Sequence, residues 1–600
     1  MARYPQPRTF DTPARRDLDG GFTGVDNRRD RSLLGQGGPG DAPGLLADAI
    51  NVRVDRQQPE TRRGCVTPIH FNAAGTRSAI QGVGIFSDPN GIEWVVAADT
   101  NKLWFHADGW TPRSVSLPVG GTLGACDIIQ AFQNLLICRG AGLPVLQWSG
   151  NWHAAAETVV ASPVPPAQTD YLEPLPPCEF GLVMADRFIF PISRDTFGWS
   201  DLLDYSRYDP AFSVARANSG EDDAIVGFAR YQGNRLIVFK TQSIYFVLNF
   251  YGDLANISID RLPARIGCVA RRTICEVGGD LMWLGDRGVY RLSQTEQDAL
   301  RSQPVPVSLP IEGYMDRIHW TYAHQAAACV VGQLYILAVP IDGSTRNNAF
   351  LVYDITLGTW QGLDYYGAPP PETLNRHPLP DLPYIQHASP AGGEETIAPA
   401  WPVGNPVMAQ ALVVSDYAGE RTAFVSDGTR LVALGHGTID RIDGIEYEIA
   451  TKIETRGYLM GELGDKRALA LELFCATRDA RLSVDVLTDG ANERLSILAD
   501  RERDRTKWRV HGKPAYALDN SADNFDAPHR EDYTYLAGDG PMLPSPGVPL
   551  ELWQEWKTPL PVRRVGRWFS VRLESTAGQL RLLGCQVDTL PEKSTFAHRT

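Results

Sequence analysis

Lysine is scarce in this chain. Only eight of its 57 basic residues are lysine, and 71 acidic residues leave a formal net charge of −14. A protein that grips duplex nucleic acid needs a basic footprint to displace phosphate counterions, and over its whole length this chain lacks one. Paired cysteines are missing as well: the nine are scattered from Cys65 to Cys585 with no CxxC. That spacing excludes zinc ribbons and redox motifs and is too sparse for a disulfide scaffold. Buried free thiols, made in a reducing cytosol, are therefore expected. None of the eleven histidines forms an HxH or HxxxH pair, so the usual sequence sign of a histidine metal centre is absent. The serine elbow GxSxG, the zincin HExxH and the phosphate loop ending in Gly-Lys-Ser/Thr do not occur either. No enzyme class, catalytic residue or cofactor is indicated. The most apolar stretch, 326–341, is broken by Gly332, Gln333 and Pro340. It falls short of the ~20 apolar residues that span a bilayer, and no apolar h-region opens the chain, so neither a membrane span nor a secretory signal is expected.

Turn formers are plentiful. The 600 residues include 56 glycines and 43 prolines, which points to many short strands joined by turns. Internal similarity sharpens this. Residues 233–247 (GNRLIVFKTQSIYFV) align without a gap on 278–292 (GGDLMWLGDRGVYRL), 45 positions later. Each is an apolar strand, a polar or Gly turn and a second strand, the pattern of a largely buried β-hairpin. Looser copies begin at Trp94, Leu135, Phe188 and Leu334, and another runs from Ala423 to Arg430 and beyond. Repeats of about 40–50 residues with two or more strands each match propeller blades. The fold class expected is mainly β: a six- or seven-bladed β-propeller with an irregular N-terminal arm and a C-terminal β-sandwich-like domain. Tryptophans flank turns in LWFHADGW (103–110) and LQWSGNW (146–152), and in a propeller such aromatics wedge between blades.

The expected division is an arm over 1–45, propeller blades over 46–367, a Pro-rich insertion over 368–410, closing propeller strands over 411–445, the sandwich-like domain over 446–592 and a tail over 593–600. The insertion holds ten prolines between Pro369 and Pro406, which excludes sheet interior. Past 446 the pattern turns to simple alternation. Leu482, Val484 and Val486 oppose Ser483 and Asp485, while Phe569, Val571 and Leu573 oppose Ser570 and Arg572. Period two describes sheets with one wet face.

Two weak chemical candidates remain. Ser87–Trp94 (SDPNGIEW) approaches an Asp-box turn, but Pro89 stands where the motif needs Asp, so an ordinary hairpin turn is expected. Asp519, Asp523, Asp526, Glu531 and Asp532 offer the hard oxygen ligands Ca²⁺ prefers, though without EF-hand spacing, and a solvated loop is the simpler reading. The arm is locally basic: Arg15, Arg16, Arg28, Arg29 and Arg31, with Arg3 and Arg8 before them, form either an assembly contact or a solvated tail.

Several segments carry a family resemblance. Ala47-Asp-Ala-Ile-Asn-Val-Arg-Val-Asp55, followed by Glu60-Thr-Arg-Arg-Gly-Cys65, resembles the opening of bacteriophage tail propellers, where A-x-N-x-x-x-D and R-x-G precede the first blade. Gly267-Cys-Val-Ala with the 278–292 hairpin, Asn347–Trp360 and Phe569–Thr576 are similar to the same group. The nearest likeness is to the nozzle, or tail tubular protein B, of short-tailed phages, and it covers most of 20–590 as short motifs. The Pro-rich insertion departs from that plan. The resemblance implies a virion tail protein made in the bacterial host cytoplasm. It implies a ring, usually a homohexamer, below an adaptor or portal-proximal protein, with tail fibres or spikes as further neighbours. Genome DNA would pass through the ring without specific binding, along a lumen expected to be net acidic. The alternative reading is a tail hub or a receptor- or glycan-binding tail protein built on a propeller.

Overall fold

Short apolar strands separated by Gly, Asn and Asp turns cannot form helices of useful length, and each must find neighbours for its backbone groups. In the computed structural model they do so within consecutive four-stranded antiparallel sheets. The residues described are 15–34, 44–70, 79–159, 172–367, 406–495 and 554–591, with interior gaps of six residues or fewer, and the short pieces 509–510 and 513–514.

The chain is mainly β and its central body is a β-propeller with seven blades among the described residues. Blades 1 to 6 span 82–116, 127–158, 182–216, 225–261, 275–302 and 327–364. The seventh takes three strands from 411–434 and its fourth from Cys65–His70, where Leu434 pairs with Cys65 and Arg430 with His70. The first strands of consecutive blades lie side by side; blade 5 meets blade 4 through the 3-10 turn Arg271–Thr273, and blade 7 returns to blade 1. The ring is thereby closed by strand exchange between the two ends of the propeller segment.

Apolar wedges fill the joints between blades. Trp94 and Trp148 sit between blades 1 and 2 with Phe86, Phe105 and Trp152 around them. Phe239 meets Trp283 between blades 4 and 5, and Phe350 meets Val425 between blades 6 and 7. Of the turn-flanking tryptophans, Trp148 and Trp152 serve as wedge material, whereas Trp110, expected to do the same, is half exposed. The Ser87–Trp94 segment is a hairpin turn in which the Asp88 carboxylate accepts from the Asn90 and Ile92 amides, both at 2.9 Å.

Two further sheets are packed over a shared core. One continues outward from the last strand of blade 6, Thr359–Asp364, through Asp48–Ile50, Thr451–Glu454, Phe569–Ser575, Leu482–Thr488 and Asn492–Leu495. The other contains Gln554–Leu560, Lys466–Arg478, Gln579–Pro591, Gln58–Thr61 and Val52–Asp55, with Arg15–Asp19 also paired to Gln579–Pro591. Leu473, Val484, Val571 and Val587 meet between them. Three differences from the sequence reading follow. Residues 48–61, read as the start of the blades, form strands of these two sheets, because Asp48–Ile50 and Gln58–Thr61 find partners hundreds of positions away and Val52–Asp55 joins through its hairpin with Gln58–Thr61. The arm, read as irregular, carries the strand Arg15–Asp19 and a short parallel pair, Gly24–Val25 with Leu45–Leu46. The face read as wet is partly covered: Ser570 is fully buried and Arg572 nearly so, because Glu454 and Arg31 of the arm close over it with ion pairs.

Candidate functional site

Residues of the first two segments that carry the family resemblance converge. Arg62 is buried, and its guanidinium meets Asp440 Oδ1 and Oδ2 at 2.8 and 2.7 Å in a two-pronged pair. Its Nε donates to Asn51 Oδ1 at 3.1 Å, Nη1 donates to the Arg63 carbonyl at 2.9 Å, and Nη2 donates to the Tyr365 carbonyl at 2.5 Å. Tyr366 lies flat against it, 3.7 Å from Cζ to ring centroid. Asn51, at φ 57°, holds a left-handed backbone that asparagine tolerates better than most residues. From there its amide donates to the Ala450 carbonyl at 2.6 Å while its oxygen accepts from the Tyr365 amide at 2.8 Å. Beside it Arg53 pairs with Asp364, with Nη1 3.1 Å from Oδ1. Gly64 is required because a Cβ there would stand 1.9 Å from the Ile439 carbonyl oxygen.

This buried clasp ties the N-terminal strands to blade 6 through Asp364 and Tyr365, to the strand Asp440–Ile442 that extends the blade 7 sheet beyond Cys65–His70 through Asp440, and to the outer sheets through Ala450. Burial opposes the Arg62 charge, but the Asp440 carboxylate outweighs it and raises the guanidinium above its usual value. The neighbouring Cys65 thiol is pushed well above its usual value by burial and then by the same carboxylate. All nine cysteines are free thiols, eight of them buried.

The arm arginines are placed differently from one another. Arg28 pairs with Glu312 at 3.1 Å, Arg29 with Asp26 at 3.5 Å, and Arg31 with Glu454. Arg15 and Arg16 lie in the arm strand, opposite Thr589 and Asp588. Around the first group opens a depression of about 420 Å³, lined by Arg29, Arg31, Arg317, Asp48, Tyr314 and Trp568 among others. Asp519, Asp523, Asp526, Glu531 and Asp532 lie outside the described residues, as does most of the 368–410 insertion. Among the described residues no group of His, Cys, Asp and Glu could hold a metal ion. No helix among them is long and apolar enough to cross a membrane.

Sequence reasoning missed the propeller axis. Arg271 and Arg272, at the start of blade 5, reach Asp127 at the start of blade 2, on the far side of the ring. Arg271 meets both Asp127 oxygens at 3.0 and 3.2 Å, and Arg272 stands 3.4 Å away. Arg272 also donates to the Cys126 carbonyl at 3.2 Å and to the Gln410 carbonyl, next to blade 7, at 3.1 Å. Phe180, before blade 3, faces the Arg271 guanidinium at 5.1 Å. Blades 2, 3, 5 and 7 are thus tied across the axis, which is bridged at the end where the inner strands begin. No spacing in the sequence signals pairs 144 positions apart.

No protein-family model matches this chain, and none of the curated proteins does. Similar solved structures exist at low identity. A streptogramin B lyase is 12% identical, with 61% of this chain and 96% of that one covered and a TM-score of 0.35. Virginiamycin B lyase from Staphylococcus aureus is 10% identical, with 61% and 98% covered and a TM-score of 0.35. The extracellular domain of a putative one-component system from B. thetaiotaomicron is 9% identical, with 76% and 58% covered and a TM-score of 0.36. No activity carries over from likenesses of this kind.

Proposed function

We propose that this chain is a virion structural protein of a short-tailed phage, a subunit of a nozzle-type ring that extends the portal and adaptor channel and conducts genome DNA. The observation that carries the reading is the clasp. Asn51, Arg62 and Gly64, residues of the first two segments that resemble the family, meet at one buried network joining the N-terminal strands, the propeller and the outer sheets. The motif is then an architectural requirement, which is what a resemblance among structural proteins would keep. A closed propeller locked across its axis is a rigid body. With Arg271, Arg272 and Asp127 bridging that axis, passage of a duplex belongs to the centre of a ring of copies and not to a single propeller. Rings of identical subunits form by heterologous contacts that close through rotation.

The test is to purify particles from a producing culture, quantify this chain against the major capsid protein by mass spectrometry, and immunolabel it for electron microscopy. About six copies at the distal tail, the number of a hexameric ring, are expected. Absence from particles overturns the proposal. Peripheral label at higher copy number replaces it with a receptor-binding tail protein.

A further inference from the structure

Two of the nine thiols stand together. Cys138 ends the second strand of blade 2, and Cys178 precedes the first strand of blade 3, 40 positions later in the chain. Their side chains meet in the apolar joint between those blades, among Leu136, Val145, Phe188 and Phe190, with the two sulfurs 3.7 Å apart. Both residues are buried. The backbone holds them there from two sides. The Gly140 amide donates to the Cys178 carbonyl at 3.2 Å and fastens that segment to blade 2, while the Leu175 amide donates to the Ser206 carbonyl at 3.0 Å and fastens it to blade 3. The meeting of the thiols is thus built into the packing of the joint.

The pair also lies beside the axial tie. Cys138 stands opposite Asp127 in the sheet register. Phe180, two residues beyond Cys178, faces the Arg271 guanidinium that Asp127 binds. A bond between the sulfurs would join the sheet that supplies Asp127 to the segment that supplies Phe180. Among the described residues no third His, Cys, Asp or Glu completes a metal site with them, so a cross-link, and not a closed zinc site, is the chemistry the pair offers.

We infer that Cys138 and Cys178 are a latent disulfide, reduced when the chain is made and joined once it meets a small peroxide outside a reducing cytosol. One thiolate attacks the peroxide O–O bond, giving a sulfenic acid and one water. The second thiolate attacks that sulfur, the S–S bond forms, and the sulfenic oxygen leaves as the second water. Two thiols and one peroxide become one disulfide and two waters; the sulfurs are oxidised and the peroxide oxygens reduced. The sulfurs must close to about 2.05 Å, a movement of roughly 1.7 Å shared between two side chains. Hydrogen bonding with Cys178 and burial push the Cys138 thiol well above its usual value, so thiolate is scarce and the bond forms slowly. The same burial then shields it from soluble reductants. The inference stands apart from the nozzle reading, because it needs only that the chain leave a reducing compartment.

The test uses the full chain, purified in reductant, desalted and treated with hydrogen peroxide. After the peroxide is removed, iodoacetamide in urea counts the thiols, and digestion with mass spectrometry locates any link. Seven labelled cysteines, the nine less one linked pair, and a cross-linked peptide holding Cys138 and Cys178 are expected. The melting temperature should rise by several degrees over the reduced chain, since the closed loop constrains the unfolded state. Cys178→Ser should give neither the link nor the rise. Nine labelled thiols in the peroxide-treated wild type would overturn the inference whatever the variant does. So would a link between other cysteines, or sulfinic acid at Cys138 or Cys178 in place of a link.

Discussion

Arg62 is the residue on which the clasp turns, and replacing it with alanine isolates its contribution. The substitution deletes the two-pronged pair with Asp440 and three further hydrogen bonds, to Asn51, Arg63 and Tyr365. Asp440 keeps the Gly367 amide, at 2.9 Å, as a donor to its carboxylate, and remains buried. Removing one partner of a buried pair costs about 4 kcal/mol, mainly through the uncompensated charge left behind. The loss should fall on Cys65–His70, the strand that closes blade 7, and on Asp440–Ile442 beside it. Because a chain of this size need not unfold in one step, local hydrogen exchange is the suitable assay. Amides of these strands should lose protection by roughly a thousandfold, each tenfold step being about 1.4 kcal/mol, while blades 2 to 4 change little. Arg63→Ala is the internal control. Arg63 is exposed and pairs with exposed Glu420 at 3.4 Å, a contact worth less than about 1 kcal/mol. Replacing both Arg62 and Asp440 with Met and Leu should recover much of the loss, since an apolar pair removes the stranded charge. Unchanged exchange at 65–70 in R62A would refute the reasoning.

Other predictions can be checked with the same protein. Asp127→Ala strands the Arg271 and Arg272 guanidiniums at the axis and should lower the melting temperature by several degrees; an unchanged melting curve would show that the axial tie contributes nothing. Burial alone would raise the Asp48 carboxyl, but Lys452, 2.6 Å away, and Tyr314 outweigh it and hold it below its ordinary value of 3.8. A carboxyl depressed in the folded state contributes stability above about pH 4 that is lost as pH falls through its folded value. Asp48→Asn should therefore flatten the acid limb of the urea midpoint against pH, and an unaltered limb would count against the assignment. Burial pushes the thiols of Cys126 and Cys268 up to about 12, so iodoacetamide at pH 8 should label them only in urea. Rapid labelling of the native protein at either position would contradict their burial.

Much of the propeller was legible because a blade is a local object. The ungapped match of 233–247 on 278–292 superposes the second and third strands of blades 4 and 5, where Leu236 pairs with Val247 and Leu281 with Leu292. Trp94, Leu135, Phe188 and Leu334 likewise fall in the second strands of blades 1, 2, 3 and 6, and Ala423 in that of blade 7. The N-terminal strands were misjudged for the opposite reason. Arg15–Asp19 finds its partner near position 589 and Gln58–Thr61 near 581, and pairings so remote leave no periodic trace. The motif residues Asn51 and Arg62 were visible, but that they bind Asp440 and Tyr365 depended on the same long returns.

The borrowed fourth strand of blade 7 has a consequence for how the protein is made. Cys65–His70 leaves the ribosome early, yet Arg430–Leu434, its partner, follows about 370 residues later. At a bacterial or similar synthesis rate the strand waits roughly 20–75 seconds for its place. Until then six blades can assemble, but blades 1 and 6 expose unmatched flanks, and no truncated or nascent chain can present a finished ring. Completion of the propeller thereby reports that translation has passed residue 434, and it withholds a rigid body from assembly until that point.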